Sequence, residues 1–252
     1  MILRLVKFLI RYFTSSFLVI LVYPFSNRDF FQLTYSRMLL FFSKIPSVEL
    51  CDIFPKLKDS SLNLIFSKFS RRSGNVSYGE MLTLCILARY LKAKNVFEIG
   101  TYDGLTTLHF ALNIPEDAKI MTLDLKKDDV PKVRLSLEKE DLKYINKSTI
   151  GDNYRNTRVE YKITQVYGDS ATFDFSPFYN SIDLMFIDGS HHYEYVKQDS
   201  ENALKMIRNG GIIVYHDFLV WPGVTKYLLE LSKTLKIYHV KDTSLVIYKK
   251  ES

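Results

Sequence analysis

Val96-Phe97-Glu98-Ile99-Gly100-Thr101-Tyr102-Asp103-Gly104 decides how this chain is read: an apolar run carries an acid near its end, and two glycines then bracket a tight turn. Asn95 to Ile99 has the length and apolar profile of a buried parallel strand, and Leu105 to Leu112 resumes with apolar residues at helical spacing. The order is strand, glycine turn, helix. Glycine serves where the backbone takes unusual dihedrals or must lie directly against a ligand, and the start of the following helix favours negative charge. The loop therefore reads as a nucleotide-type site.

Spacing narrows the ligand. A dinucleotide fingerprint needs Gly-x-Gly-x-x-Gly after the strand, whereas these glycines stand at 100 and 104 with no third. A phosphate-binding P-loop needs Gly-Lys-Ser/Thr, which is absent. The acid-x-Gly-x-x-x-Gly form resembles the first motif of the class I S-adenosylmethionine-dependent methyltransferases. From the loop alone, an ordinary turn in a structural α/β domain stays open as the alternative.

The pattern around the loop is regular. Tyr78 to Lys92 reads as an amphipathic helix. Strands are expected at Asn95 to Ile99, Lys119 to Leu123, Ile163 to Tyr167, Ile182 to Ile187, Gly211 to Tyr215, Leu235 to Val240 and Ser244 to Tyr248, with further helices at Leu105 to Asn113, Tyr193 to Arg208 and Val224 to Lys233. This alternation predicts an α/β fold: a Rossmann-like, doubly wound, mainly parallel seven-stranded sheet with helices on both faces and ligands outside the carboxyl ends of the strands. Lys126 to Glu160 is charged, poor in apolar residues and long for a connection, so it reads as an insertion near the site or a mobile lid.

Residues 76–252 are thus expected to form the catalytic domain and 1–75 an N-terminal helical extension. The net charge of +6 lies entirely at the N-terminal side: residues 1–80 carry 11 Lys+Arg against 5 Asp+Glu, and the remainder carries 23 of each. The balanced charge of the larger part, together with the lack of an Asn/Asp-Pro-Pro-aromatic motif after the fourth strand, argues against a nucleic-acid substrate. Cys51 and Cys85 stand far apart without Cys-x-x-Cys or histidine clusters, which fits a reducing compartment and supports neither a disulfide nor a zinc framework. In Met1 to Tyr12, Arg4, Lys7 and Arg11 form one basic stripe on an otherwise apolar helix, suited to an anionic membrane surface. Tyr12 to Asn27 is uncharged for 16 residues, short of the roughly 20 that cross a bilayer, and is broken by Pro24. The expectation is peripheral attachment through residues 1–42 at the cytosolic face of a membrane. The same helices could instead cap the domain or form a homodimer surface.

Each strand end presents side chains to the ligand edge. The second strand ends at Asp124, whose carboxylate can accept hydrogen bonds from ribose hydroxyls. The third ends Gly168-Asp169-Ser170, and in the family resembled this segment lines the adenine, although a helix N-cap explains Asp169 or Ser170 equally well. The fourth runs Ile182-Asp183-Leu184-Met185-Phe186-Ile187 into Asp188-Gly189-Ser190-His191-His192. The fifth ends Tyr215-His216-Asp217. Carboxylates on neighbouring strand tips repel unless a cation or proton lies between them, which points Asp188 and Asp217 towards Mg²⁺, the cation suited to hard oxygen ligands with few dedicated protein groups.

These segments, with Asp199, Gly210-Gly211, His216-Asp217, Gly223-Val224 and Thr243-Ser244-Leu245, resemble the metal-dependent O-methyltransferases in the branch that includes macrolide-sugar methyltransferases. The resemblance covers about residues 76 to 250. It implies S-adenosylmethionine as methyl donor, held at its methionine end by Glu98, Tyr102 and the backbone of Gly100, Thr101 and Gly104, with Thr106 near the carboxylate and Asp188 reaching the same ligand. It implies an acceptor hydroxyl of a sugar, glycan or other small molecule, Mg²⁺ on Asp188 and Asp217, and His191 as general base, three residues after Asp188 where catechol-type relatives carry lysine. His192 and His216 are alternatives for that role. Those relatives also place asparagine after the strand-five acid, where Phe218 stands here. Two other functions remain open: methylation of a soluble secondary metabolite with a dimerising N-terminus, and a catalytically silent scaffold.

Overall fold

A computed structural model of the chain describes residues 43–68 and 71–251. The expected N-terminal helices within 1–42 lie outside the described residues. Among the described residues no helix is long and apolar enough to cross a membrane.

Fourteen regular elements are used below: β1 (Ser47–Val48), α1 (Leu50–Ile53), α2 (Tyr78–Leu91), β2 (Asn95–Ile99), α3 (Leu105–Asn113), β3 (Lys119–Asp124), α4 (Leu142–Ile145), β4 (Ile163–Tyr167), β5 (Ile182–Ile187), α5 (Tyr193–Met206), β6 (Ile207–Tyr215), α6 (Pro222–Leu231), β7 (Ile237–Val240) and β8 (Val246–Lys249). The described strands form one sheet in the order β1-β7-β8-β6-β5-β2-β3-β4. β8 runs antiparallel to β6 and β7, and the other pairings are parallel. The sheet therefore has eight strands where seven were expected. The extra one is the two-residue β1, which adds to the edge of β7 through Ser47 opposite His239 and Val48 opposite Val240. Two residues are too short to show any periodicity.

The strands follow their composition. All six residues of β5 are buried, as suits a central parallel strand covered on both faces. β2 lies between β3 and β5, so the chain reverses its winding direction at the β2–β5 boundary. That boundary is where open α/β sheets place their ligands. Alternation along β2 sends Val96 and Glu98 to one face and Phe97 to the other. Val96 joins the core under α2 and α3 with Leu84, Leu87, Phe110 and Phe186. Phe97 packs on the opposite face against Phe175 and Phe178, with ring centroids 5.7 and 5.2 Å away. Fully burying one such side chain contributes about 1.5–3 kcal/mol.

α2 starts with a reciprocal capping box: Glu80 N donates to Ser77 Oγ at 3.2 Å, and Ser77 N donates to Glu80 Oε2 at 2.7 Å. At the opposite end of the sheet, Asp183 Oδ2 accepts from the backbone N–H of Lys94 and Asn95, each at 2.8 Å, and fixes the entry to β2. β6 begins at Ile207, four residues before the expected start, because Ile207 pairs with Ile182 ahead of a register shift. The long insertion after β3 is built from short turns and α4, and it is tied down. Gly151 N donates to Tyr102 O at 3.1 Å, Asn153 N to Asp103 O at 2.9 Å, and the buried Tyr154 donates its hydroxyl to Gln165 Oε1 at 2.7 Å.

Candidate functional site

The tips of β2 and β5 meet through backbone. Gly100 has φ +96°, and a Cβ at that position would stand 1.9 Å from the Asp188 carbonyl oxygen. Only glycine allows this approach. Tyr102, with φ 49°, continues the turn and donates its N–H to Asp124 Oδ2 at 2.8 Å. Around this corner lies a cleft lined by Gly100, Tyr102, Asp124, Asp169, Ser170 and Asp188, with Tyr144 and Lys147 from the insertion.

Several expected ligands take other places. Glu98, Thr101, Gly104 and Thr106 do not line the cleft. Strand parity turns Glu98 under α3, where it is fully buried and Oε2 accepts from Thr107 and Thr122, the latter at 2.6 Å. Its Oε1 has no hydrogen-bond partner, and burial pushes its pKa up to about 8. Thr101 bonds Thr122 Oγ1 at 2.7 Å beneath the loop. Gly104, with φ +78°, caps α3 and would meet Tyr154 at 2.6 Å if it carried a Cβ. Thr106 is buried in the first turn of α3. These four shape the loop from below, while Gly100, Tyr102 and Asp124 face the cleft.

Asp124 also accepts from Lys147 Nζ at 2.9 Å. Burial raises its pKa, and the ammonium partly offsets that. Asp169 lines the cleft with a committed carboxylate: it accepts from Arg134 N, Ala171 N and the Tyr195 hydroxyl, each at 2.9 Å. Asp199, on α5, is buried beside Ser170, and burial raises its pKa to about 7.

Beside the cleft the strand-tip acids and histidines form one chain of contacts. His191 Nε2 bonds Asp217 Oδ2 at 2.7 Å, and its Nδ1 bonds Asp141 Oδ1. Asp141 Oδ2 also accepts from Ser190 Oγ at 2.8 Å and His191 N at 3.2 Å. Trp221 stacks on the His191 ring, centroids 4.2 Å apart and planes 14° from parallel. Burial lowers the His191 pKa, but Asp141 and Asp217 outweigh it and hold it up at about 9. His216 Nδ1 bonds Asp188 Oδ1 at 2.9 Å, and its Nε2 lies 3.4 Å from Glu80 Oε2. Burial again opposes the charge, yet Asp188 and Asp217 raise the His216 pKa well above its ordinary value. Asp217 is held well below the usual carboxylate range because the two histidines overcome its burial, whereas burial raises Asp188.

One ligand atom each from Asp188, His191 and Asp217 lies within 4.8 Å of the others, so these three could hold a metal ion. The two carboxylates are hard oxygen donors, a set that Mg²⁺ can complete with water or substrate oxygens, whereas the imidazole is a donor suited to Zn²⁺ or Fe²⁺. Phe218 turns away from it, buried with its ring 5.5 Å from that of His239. His192 has a buried Nδ1 without a hydrogen-bond partner and takes no part in the chain of contacts. Asp141, Glu80 and Trp221 were not foreseen. Glu80 had a readable signal in Ser77-x-x-Glu80, but as a helix cap rather than a site residue.

Residues 97–218 match a family described as methyltransferase domain. "Probable caffeoyl-CoA O-methyltransferase 3" of Dictyostelium discoideum is 33% identical over 139 residues, covering 53% of this chain and 47% of the relative. The caffeoyl-CoA O-methyltransferase of Medicago sativa is 28% identical over 216 residues, covering 73% of this chain and 76% of the relative. The chain spans about half the length of the Dictyostelium protein. Among solved structures, the O-methyltransferase TomG of Streptomyces achromogenes, in complex with S-adenosylmethionine, superposes with TM-score 0.52 over 78% of this chain and 96% of that one at 16% identity, a likeness of fold. The family match lies across β2 to the β6 tip, where the glycine corner and the acid–histidine contacts stand, so this part of the chain matches a methyltransferase domain and is similar in sequence to O-methyltransferases.

Proposed function

We propose that the chain transfers the methyl group of S-adenosylmethionine to a hydroxyl of a sugar, glycan or other small molecule, with Mg²⁺ on Asp188 and Asp217 and His191 as general base. The observation that carries this reading is the adjacency of two unlike regions. The Gly100–Asp124 cleft suits a nucleoside, and Asp188, which lines it, also belongs to a cluster of acids and histidines suited to an acceptor.

The residues divide the work. Gly100 brings bare backbone to the cleft, and Asp124 offers a carboxylate to ribose hydroxyls. Asp188 and Asp217 would hold the metal, which when bound supplies a Lewis acid that lowers the pKa of a hydroxyl. Asp141 fixes the His191 ring through Nδ1 and Trp221 fixes its plane, which leaves Nε2 on the side of Asp217. This is the orienter–base relation used by histidine bases. With a pKa near 9, His191 must release its own proton before it can take one from the acceptor, so transfer should quicken as pH rises towards that value. Positioning supplies most of the acceleration, because the cofactor brings the activated carbon.

Residues 1–42 are proposed to attach the enzyme peripherally to an anionic membrane, which retention of full-length protein in the soluble fraction at low salt would refute. The methyltransferase reading is tested by calorimetric titration of S-adenosylmethionine with and without Mg²⁺, followed by methyl-transfer assays on hydroxylated aromatics and glycosides. Absence of S-adenosylmethionine binding would favour a silent scaffold. His191→Ala should lose nearly all transfer and keep cofactor binding; unchanged turnover would remove His191 from the mechanism.

A further inference from the structure

A second cavity, of about 370 Å³, lies between the first turns of α2 and of α3. That volume is within the roughly 300–1,000 Å³ typical of ligand sites. Its wall is apolar, made by Phe66, Val76, Met81, Leu82 and Leu105. His109 completes it as a neutral ring: burial lowers its pKa, and Nδ1 is engaged with Leu105 O at 2.8 Å. Tyr78 and Leu82, both in the lining, are 60% and 43% exposed, so apolar surface is held open to water at this mouth. Such exposure is costly at about 25 cal/mol per Å² and is relieved by a bound apolar group.

The mouth is also positively charged. Lys68 and Arg71 belong to the lining and are exposed. Among the described residues their hydrogen bonds go to backbone carbonyls, of Asn153 and Asn75 respectively, and not to carboxylates. Between Asp59 and Glu80 the chain has no acidic residue, while it carries Lys68, Arg71 and Arg72. Glu80 itself turns away, bonding Ser244 Oγ at 2.7 Å and facing His216. An apolar cavity with a cationic rim matches a molecule with one apolar and one anionic end. Residues 1–42 are apolar too, but they carry 5 Lys+Arg against 1 Asp+Glu, the same sign as the rim. Charge complementarity therefore favours an anionic ligand over those residues at the rim.

We propose that this cavity binds an anionic amphiphile, with a single acyl or prenyl chain against Phe66, Met81 and Leu105 and a phosphate or carboxylate head against Lys68 and Arg71. The site is separate from the methyl-transfer reading and does not rest on it. It nevertheless adjoins the reactive centre along α2, where Glu80 reaches His216 and the next two residues line the cavity.

The test titrates full-length protein by calorimetry with decyl phosphate below its micellar concentration, with decanol and inorganic phosphate as partial ligands. One decyl phosphate should bind per chain, and each partial ligand at least tenfold more weakly. The pair Lys68→Glu and Arg71→Glu should weaken decyl phosphate at least tenfold and leave decanol unchanged. Met81→Trp, or the more exposed Leu82→Trp should the first fail to fold, should abolish both. S-adenosylmethionine binding in every variant reports an intact fold and keeps this test distinct from that of the methyltransferase reading. Equal binding of decanol and decyl phosphate, unchanged affinity after charge reversal or cavity filling, or a photoreactive decyl phosphate that labels residues 1–42 instead of 66–82 would overturn the proposal. Competition by phosphatidylglycerol vesicles would identify the source as a membrane lipid, and lack of competition a free amphiphile; either result supports the site.

Discussion

Gly100→Ala probes the corner on which both halves of the site depend. The added Cβ would lie 1.9 Å from the Asp188 carbonyl oxygen and 2.6 Å from its carbon, at a residue whose φ is +96°. Real Cβ contacts are not found below 3.0 Å, so the β2 and β5 tips must separate by about 1 Å. The obstacle is backbone, and it is anchored: Asp188 N donates to Ile99 O at 2.9 Å. Left-handed backbone costs an alanine about 1–2 kcal/mol, and overpacking adds about 1–3 kcal/mol. At roughly 2–4 °C per kcal/mol for a chain of this size, Tm should fall by about 5–20 °C. A displacement of about 1 Å at the reacting groups can cost on the order of 100-fold in rate. Scanning calorimetry and a methyl-transfer assay measure both consequences, and an S-adenosylmethionine titration reports the cofactor side of the corner. Gly79→Ala is the control, since nothing lies within 4 Å of its would-be Cβ in α2 and it should stabilise by about 0.4–1 kcal/mol. A Gly100→Ala protein with the parent Tm and cofactor affinity would refute the argument.

Asp141→Asn removes one of two carboxylates holding up the His191 pKa, so the acidic limb of the pH profile of kcat/KM should move down by roughly 1–2 units; an unmoved limb would detach Asp141 from the base. Because the folded-state pKa of His191 is raised, its ion pairs stabilise the fold fully below pH 6.5 and fade as pH passes about 9, and urea melts of Asp141→Asn should show that pH-dependent part reduced. Glu98 has the same sign in a lower window: an acid raised from 4.5 to about 8 favours the fold while neutral, and stability falls as pH rises between those values. Glu98→Gln should therefore flatten the fall in stability between pH 4.5 and 8, a loss in the parent on the order of a few kcal/mol at about 1.4 kcal/mol per unit; identical slopes would show that Glu98 is ionised at no cost. Removing both carboxylates in Asp188→Asn with Asp217→Asn should abolish any Mg²⁺ binding seen by calorimetry, and retained binding would place the metal elsewhere.

What was legible depended on whether a residue's role is set by its own neighbours in sequence. β2, β4 and β5 coincide with their expected limits because a short apolar run between turn residues is itself the cause of a buried strand. The Gly100 turn and the Asp188–His191 tip were readable for the same reason. Glu98 was placed in the cleft on the strength of its motif, but strand alternation puts it on the face of Val96, under α3, and the cleft lining begins one residue on, with Ile99 and Gly100. Asp141 was not readable at all. It sits in an aperiodic charged insertion, 50 residues before the histidine it holds, and nothing local marks one of many acids there as buried. Yet that insertion places Asp141 on His191 and Lys147 on Asp124, six residues apart, so one short segment touches both the proposed base and the proposed ribose ligand. Any change that shifts α4 must then perturb both ends together. The segment with least sequence pattern is thus the one that joins the two halves of the proposed site, and specificity is to be sought there rather than in the glycine loop.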